Sequence, residues 1–165
     1  MGVSSYEAWQ AAHLFSRRRA LSFFVGSALG AAAAPAQDSA HSMFSKVNEA
    51  DVARPVPNMH DGRGTISFRY FEFDRQPAPA NFCIYDIPPG ASEGVHTHHL
   101  GDTVLGPYDE YYYIIEGEGE MPIDGQTVPV KTGDHVHTPL GVAHGITNTS
   151  KDKNLRVFLT FIARA

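Results

Sequence analysis

Cysteine is nearly absent: the 165 residues contain one, Cys83. A lone cysteine excludes an intramolecular disulfide framework and every cysteine-based structural zinc site. Cys83 therefore reads as a small buried apolar residue, and histidine has to supply any soft-to-borderline metal ligand. Positive charge is scarce as well, with 13 Lys+Arg against 18 Asp+Glu, a formal net charge of −5 and no long basic run in the body of the chain. That balance argues against nucleic acid and anionic membrane surfaces as main partners and leaves a small molecule or a protein. No apolar run reaches the ~20 residues that span a bilayer. What the chain does have is nine histidines, in a length that suits one domain with its own core and an appendage.

The appendage is N-terminal. Arg17-Arg18-Arg19 precede a mildly apolar run, Phe23 to Ala34, and then Ala34-Pro35-Ala36. This is the charged, apolar and small-residue layout of an export signal, with cleavage expected after Ala36 and a periplasmic or extracellular destination. The paired arginines after Ser16 resemble a twin-arginine signal, although Ala20 and Ser22 replace residues common in that motif. Removing residues 1–36 takes away three basic and one acidic side chain, so the net charge moves from −5 to −7. Residues 37–63, polar and broken by Pro55 and Pro57, read as a linker with at most a helical turn.

From residue 64 to 165 the pattern changes to short β-rich runs between Gly and Pro turns. The runs are Thr65–Phe73, Asn81–Ile87, Gly94–His98, Glu110–Ile115, Glu118–Ile123, Gln126–Val130, His135–Thr138 and Leu155–Ile162. Eight strands at this spacing predict an all-β, antiparallel sandwich or barrel. Asp124-Gly125 predicts a tight hairpin, because both positions tolerate the positive φ of a type I′ turn. No segment repeats, so one barrel is expected.

Two segments carry the chemistry. In Gly94-Val95-His96-Thr97-His98, residues two apart on a strand share a face, which lets two imidazoles about 6–7 Å apart converge on one ion. A third histidine, His144, stands in Gly133-x5-Pro139-x-Gly141-x2-His144-x3-Asn148. At this pattern, and at Gly90-x5-His96-x-His98 followed by Glu110-x6-Gly117, the chain resembles the cupin superfamily. One departure stands out: eleven residues separate His98 from Glu110, where the family usually has three or four.

The resemblance implies a jelly-roll barrel, the double-stranded β-helix, holding one divalent transition metal (Fe, Mn, Ni, Cu or Zn) on His96, His98, Glu110 and His144. Asp102, three residues past His98, is the reserve for the carboxylate ligand, and residues 99–109 form a loop at the barrel mouth. If Glu110 points inward, Tyr112 does too, while Tyr111 and Tyr113 pack outward and suit a homodimer interface. Tyr112, His135 and His137 are the candidates for a catalytic acid or base. Arg69 is either a carboxylate anchor or a solvated strand residue. Asn148-Thr149-Ser150 matches a glycosylation sequon, but the cupin motif already accounts for Asn148. His41 and His60 have no evident role. The expected function is a dioxygenase-like oxidoreductase acting on a small phenolic or enolic substrate. The alternatives are a metal-dependent lyase, decarboxylase or isomerase on a small carboxylate, and a non-catalytic binding module, which gains if none of the three candidates faces the metal.

Overall fold

The structure, a computed structural model, describes residues 46–71 and 80–165. The export segment 1–36 and the start of the expected linker lie outside the described residues. A short helix α1 (Glu49–Val52), capped by the Asn48 side chain on the Ala50 amide, leads into β1 (Ala53–Pro57). A 3-10 turn (Met59–Asp61) precedes β2 (Thr65–Phe71) and β3 (Ala80–Ile87). The chain continues through β4 (Ser92–His96), β5 (Tyr108–Glu116), β6 (Glu118–Ile123), β7 (Gln126–Lys131), β8 (His135–Thr138), β9 (His144–Asn148) and β10 (Leu155–Ala163). All pairings are antiparallel, in a six-stranded sheet of order β1-β2-β3-β10-β5-β8 and a four-stranded sheet of order β4-β9-β6-β7.

The two sheets share one buried core, as the all-β expectation required. Burial alternates along β10, where Leu155, Val157, Leu159 and Phe161 turn inward. Ile66, Phe68, Tyr85 and Ile114 join them from the larger sheet, and Met121, Val130 and Ile146 from the smaller. Truncating a fully buried member such as Leu159 to alanine costs about 2–5 kcal/mol at sites of this kind. Cys83 is a free, buried thiol, as expected. Asp124 and Gly125 take φ of 47° and 78°, and Ile123 pairs with Gln126, so the predicted two-residue hairpin forms there.

Within the segment read as a linker, residues 53–57 join the barrel as β1. β1 pairs with β2 from Ala53↔Arg69 to Pro57↔Thr65. Pro55 and Pro57 do not prevent this, because β1 is an edge strand, and an edge is where a residue without an N–H can sit. Glu49 ties the segment down on the outer face, 3.1 Å from Arg69 and paired with Arg156, while Asp86 holds Arg69 at 2.7 Å. Arg69 is thus a member of an outer ion-pair network. β9 was absorbed by the sequence reading into its motif. In the structure it lies between β4 and β6, pinned by Asn148, whose amide donates to the Ile87 and Lys153 carbonyls at 2.7 and 2.8 Å. Those bonds explain why the motif needs asparagine there.

Candidate metal centre

β4 and β9 lie side by side with His96 opposite His144 in the ladder, and His98 follows two residues after His96. Glu110 comes from β5 of the facing sheet. Donor atoms of His96, His98, Glu110 and His144 all fall within 4.8 Å of one another, and all four residues are buried. The resemblance at the two motifs implies this set, and the fold brings it together.

The orientation of the three imidazoles has a common cause. Nδ1 of His96, His98 and His144 lies 3.1, 2.9 and 2.8 Å from the carbonyl oxygens of Gly94, Gly106 and Val142. A carbonyl can only accept, so each Nδ1 carries the hydrogen and each Nε2 presents its lone pair to the interior. His96 Nε2 and His98 Nε2 are buried without a hydrogen-bond partner. His144 Nε2 stands 2.8 Å from Glu110 Oε2, and His98 Nε2 3.3 Å from Glu110 Oε1. Inward lone pairs facing a carboxylate are a donor set that calls for a cation, so these residues fit a divalent metal.

Electrostatics agree with this arrangement. Burial lowers the His96 pKa to about 4, so that imidazole is neutral at pH 7. Burial alone would raise Glu110, but its close contacts with the His144 and His98 rings outweigh it and hold the carboxylate well below its usual range. For His98, burial works downward and is overcome by Glu110, which raises it.

The other sequence candidates separate. Asp102 accepts from the Val104 and Leu105 amides at 2.7 and 3.0 Å, closing a turn inside the 99–107 loop, and it is not in the cluster. Tyr112 does face inward and is fully buried, donating to Glu110 Oε2 at 2.6 Å with Glu93 Oε2 at 3.3 Å. Burial, then the neighbouring carboxylates, push its phenol pKa well up. His135 and His137 point the other way. β5 pairs with β8 so that Glu110 meets Thr138 and Tyr112 meets Val136, which puts Thr138 and Val136 on the inner face. His137 instead stacks on Tyr111 with ring centroids 4.3 Å apart, its side chain 43 % exposed, and His135 is exposed beside Tyr113.

Two residues escaped the sequence reading. His60, from the 3-10 turn, stacks on His96 with centroids 3.9 Å apart and an interplanar angle of 18°. Glu93 is buried on β4, its carboxylate near the Tyr85 and Tyr112 hydroxyls, and burial pushes its pKa well up. The pairing of β4 with β9 shifts register between Glu93 and His96, so both turn inward although three residues apart. Strict alternation from His96 would have assigned Glu93 to the outside.

Comparison with known proteins gives one family. The model described as a cupin domain matches residues 83–161. An oxalate-binding protein of Thermotoga maritima is 35% identical over 97 residues, covering 57% of this chain and 74% of that protein. A solved structure described as a predicted oxalate decarboxylase, also from Thermotoga maritima, superposes with a TM-score of 0.64 at 28% identity, over 73% of this chain and 100% of that one. A Cupin 2 conserved barrel domain protein from Salinispora arenicola gives a TM-score of 0.56 at 21% identity, over 73% and 89%, and so shows the fold alone. Fold, motif residues and relatives agree that this chain belongs to the cupin superfamily.

Proposed function

We propose that the protein binds a small dicarboxylate of the oxalate class through one divalent transition metal held by His96, His98, Glu110 and His144. The observation that carries this is the buried four-donor cluster with three imidazole Nε2 atoms turned inward. The 35%-identical relative named for oxalate binding supplies the ligand class. When bound, the metal supplies a Lewis-acid centre with positions open to carboxylate oxygens. Backbone carbonyls of Gly94, Gly106 and Val142 fix the three rings, and Tyr112 fixes the Glu110 carboxylate.

Binding takes precedence over catalysis because of the three candidate acids and bases. His135 and His137 lie on the outer face, and the Tyr112 hydroxyl already donates its hydrogen bond to Glu110. Decarboxylation is the second reading, favoured by Glu93, a buried carboxyl with a raised pKa that sits beside the cluster, and by the 28%-identical structure. Dioxygenase-like chemistry has no support from the relatives named above and yields to the carboxylate readings. The test is calorimetry of metal-loaded protein with oxalate, malonate and succinate, followed by assay for formate and carbon dioxide. Saturable oxalate binding without formate supports the proposal. Formate production moves the assignment to decarboxylase, and no binding of any dicarboxylate overturns it.

A further inference from the structure

His60 is brought to the centre by a segment that precedes the matched region 83–161. Asn58, His60 and Asp61 all have left-handed backbones, with φ of 49°, 48° and 60°. Residues with a Cβ adopt that conformation at a cost, and it persists only where the surroundings impose it. Here they do. Ser92 N donates to the Arg63 carbonyl at 2.8 Å, and Ser92 Oγ accepts from the Arg63 amide at 2.9 Å. A Cβ on Gly62 would lie 2.0 Å from the Ser92 carbonyl oxygen, and one on Gly94 1.8 Å from that of His60, so the turn and β4 touch backbone to backbone.

The strained turn delivers an imidazole flat against His96, with its Nε2 3.7 Å from Glu93 Oε1 and the two side chains only 6% and 1% exposed. Donor atoms of His60, Glu93 and His96 lie within 4.8 Å of one another. A separation of 3.7 Å is too long for a hydrogen bond between His60 and Glu93, but it suits two groups that both close on one oxygen about 2.8 Å from each. We propose that His60 and Glu93 form an anchoring subsite beside His96, in which His60 Nε2 and the Glu93 carboxyl both hydrogen-bond one oxygen of a small carboxylate held at the centre. The ligand class rests on the proposed function; the subsite rests on the geometry. Against a carboxylate oxygen, which only accepts, the Glu93 carboxyl takes the part of a donor in its acid form.

The test uses the full chain loaded with cobalt(II). Metal content and the cobalt absorption spectrum report the centre, and calorimetric titration with oxalate and with azide reports anion binding. His60→Phe keeps a flat ring on His96 without the donor, and Glu93→Leu removes the carboxyl. Both are expected to hold one cobalt per chain with the wild-type spectrum and to bind oxalate about tenfold more weakly, the loss of one hydrogen bond. Glu93→Gln, which keeps an N–H donor, stays within about threefold of wild type. Wild-type oxalate affinity in His60→Phe overturns the subsite, and so does loss of cobalt from it, which would make His60 part of the metal shell. Should His60→Phe fail to fold by circular dichroism, Glu93→Leu against Glu93→Gln decides: equal affinities overturn the proposal. If the wild type takes azide but no dicarboxylate, the functional reading fails and the subsite is judged on azide affinity in the same variants. If it takes neither anion, both fall.

Discussion

His144 Nε2 lies 2.8 Å from Glu110 Oε2, while Nδ1 of the same ring lies 2.8 Å from the Val142 carbonyl oxygen. Both ring nitrogens therefore face acceptors. A neutral imidazole has one hydrogen and can satisfy one of them, so a positive species has to complete the other contact. A divalent metal held by the cluster would do so. Removing either partner should therefore abolish stoichiometric metal binding. Glu110→Gln and His144→Ala are expected to lose the metal on dialysis, measured by elemental analysis, while Asp102→Ala retains one ion per chain. Metal loss from Asp102→Ala with retention in Glu110→Gln would exchange the two carboxylates.

Tyr112 fixes the same carboxylate oxygen that His144 faces. Its hydroxyl donates to Glu110 Oε2 at 2.6 Å from a fully buried position. Groups that orient a metal ligand in this way typically contribute 10–100-fold to metal affinity. Tyr112→Phe should weaken metal binding by about that factor in competition with a chromophoric chelator. An unchanged affinity would show that packing alone holds Glu110.

The outward histidines give a contrasting expectation. His137 stacks on Tyr111 and lies 4.0 Å from Asp109 on a half-exposed face, and His135 is exposed. Surface substitutions of this kind usually change stability by less than about 0.5 kcal/mol. His135→Ala and His137→Ala should keep wild-type metal content, oxalate affinity and Tm. A tenfold loss of oxalate affinity in either would return them to the list of functional residues.

How far the sequence carried this picture depended on the range of the interaction. The hairpin at Asp124-Gly125 is a local conformational requirement, and it was readable. So was the metal set, because its spacing is that of a family pattern that survives an eleven-residue interval before Glu110. Local rules failed where a partner decides. Pro55 and Pro57 read as strand breakers, yet β1 forms because, among the described residues, it pairs on one side alone, with β2. His135 and His137 share a face, but which face it is depends on pairing Tyr112 with Val136. His60 stood in a presumed linker, and nothing in its local sequence says that a left-handed turn lays it on His96. Glu93 was hidden by the register shift in β4.

The export segment offers a prediction independent of the site. Arg17 and Arg18 follow Ser16 ahead of a Gly/Ala-rich apolar run and Ala34-Pro35-Ala36. On the proposal that this is a twin-arginine signal, replacing both Arg17 and Arg18 by lysine should leave the precursor in the cytoplasm. Fractionation with blotting measures this, and N-terminal sequencing of exported wild type should begin at Gln37. Unimpaired export of the double variant would assign the segment to a different route.

Glu93 makes stability depend on pH in an unusual direction. Burial, reinforced by the nearby Glu110 charge, raises its pKa well above the ordinary value of 4.5. The folded chain therefore holds this proton more tightly than the unfolded chain, and each step of pH above 4.5 favours unfolding until the folded pKa is passed. A depressed carboxylate such as Glu110 acts oppositely, contributing stability above its unfolded pKa that is lost on acidification through its folded pKa. Comparing Glu93→Gln with wild type isolates the first effect, since the amide matches the protonated carboxyl in shape and does not titrate. In chelator-treated protein the two should melt together at pH 4, with the variant progressively more stable by pH 8. A constant Tm difference across that range would mean that Glu93 does not change its protonation preference on folding. A gap that opens towards acid would mean that the buried carboxyl is ionised in the folded state, and the Tyr85 and Tyr112 hydroxyls would then be its stabilising donors.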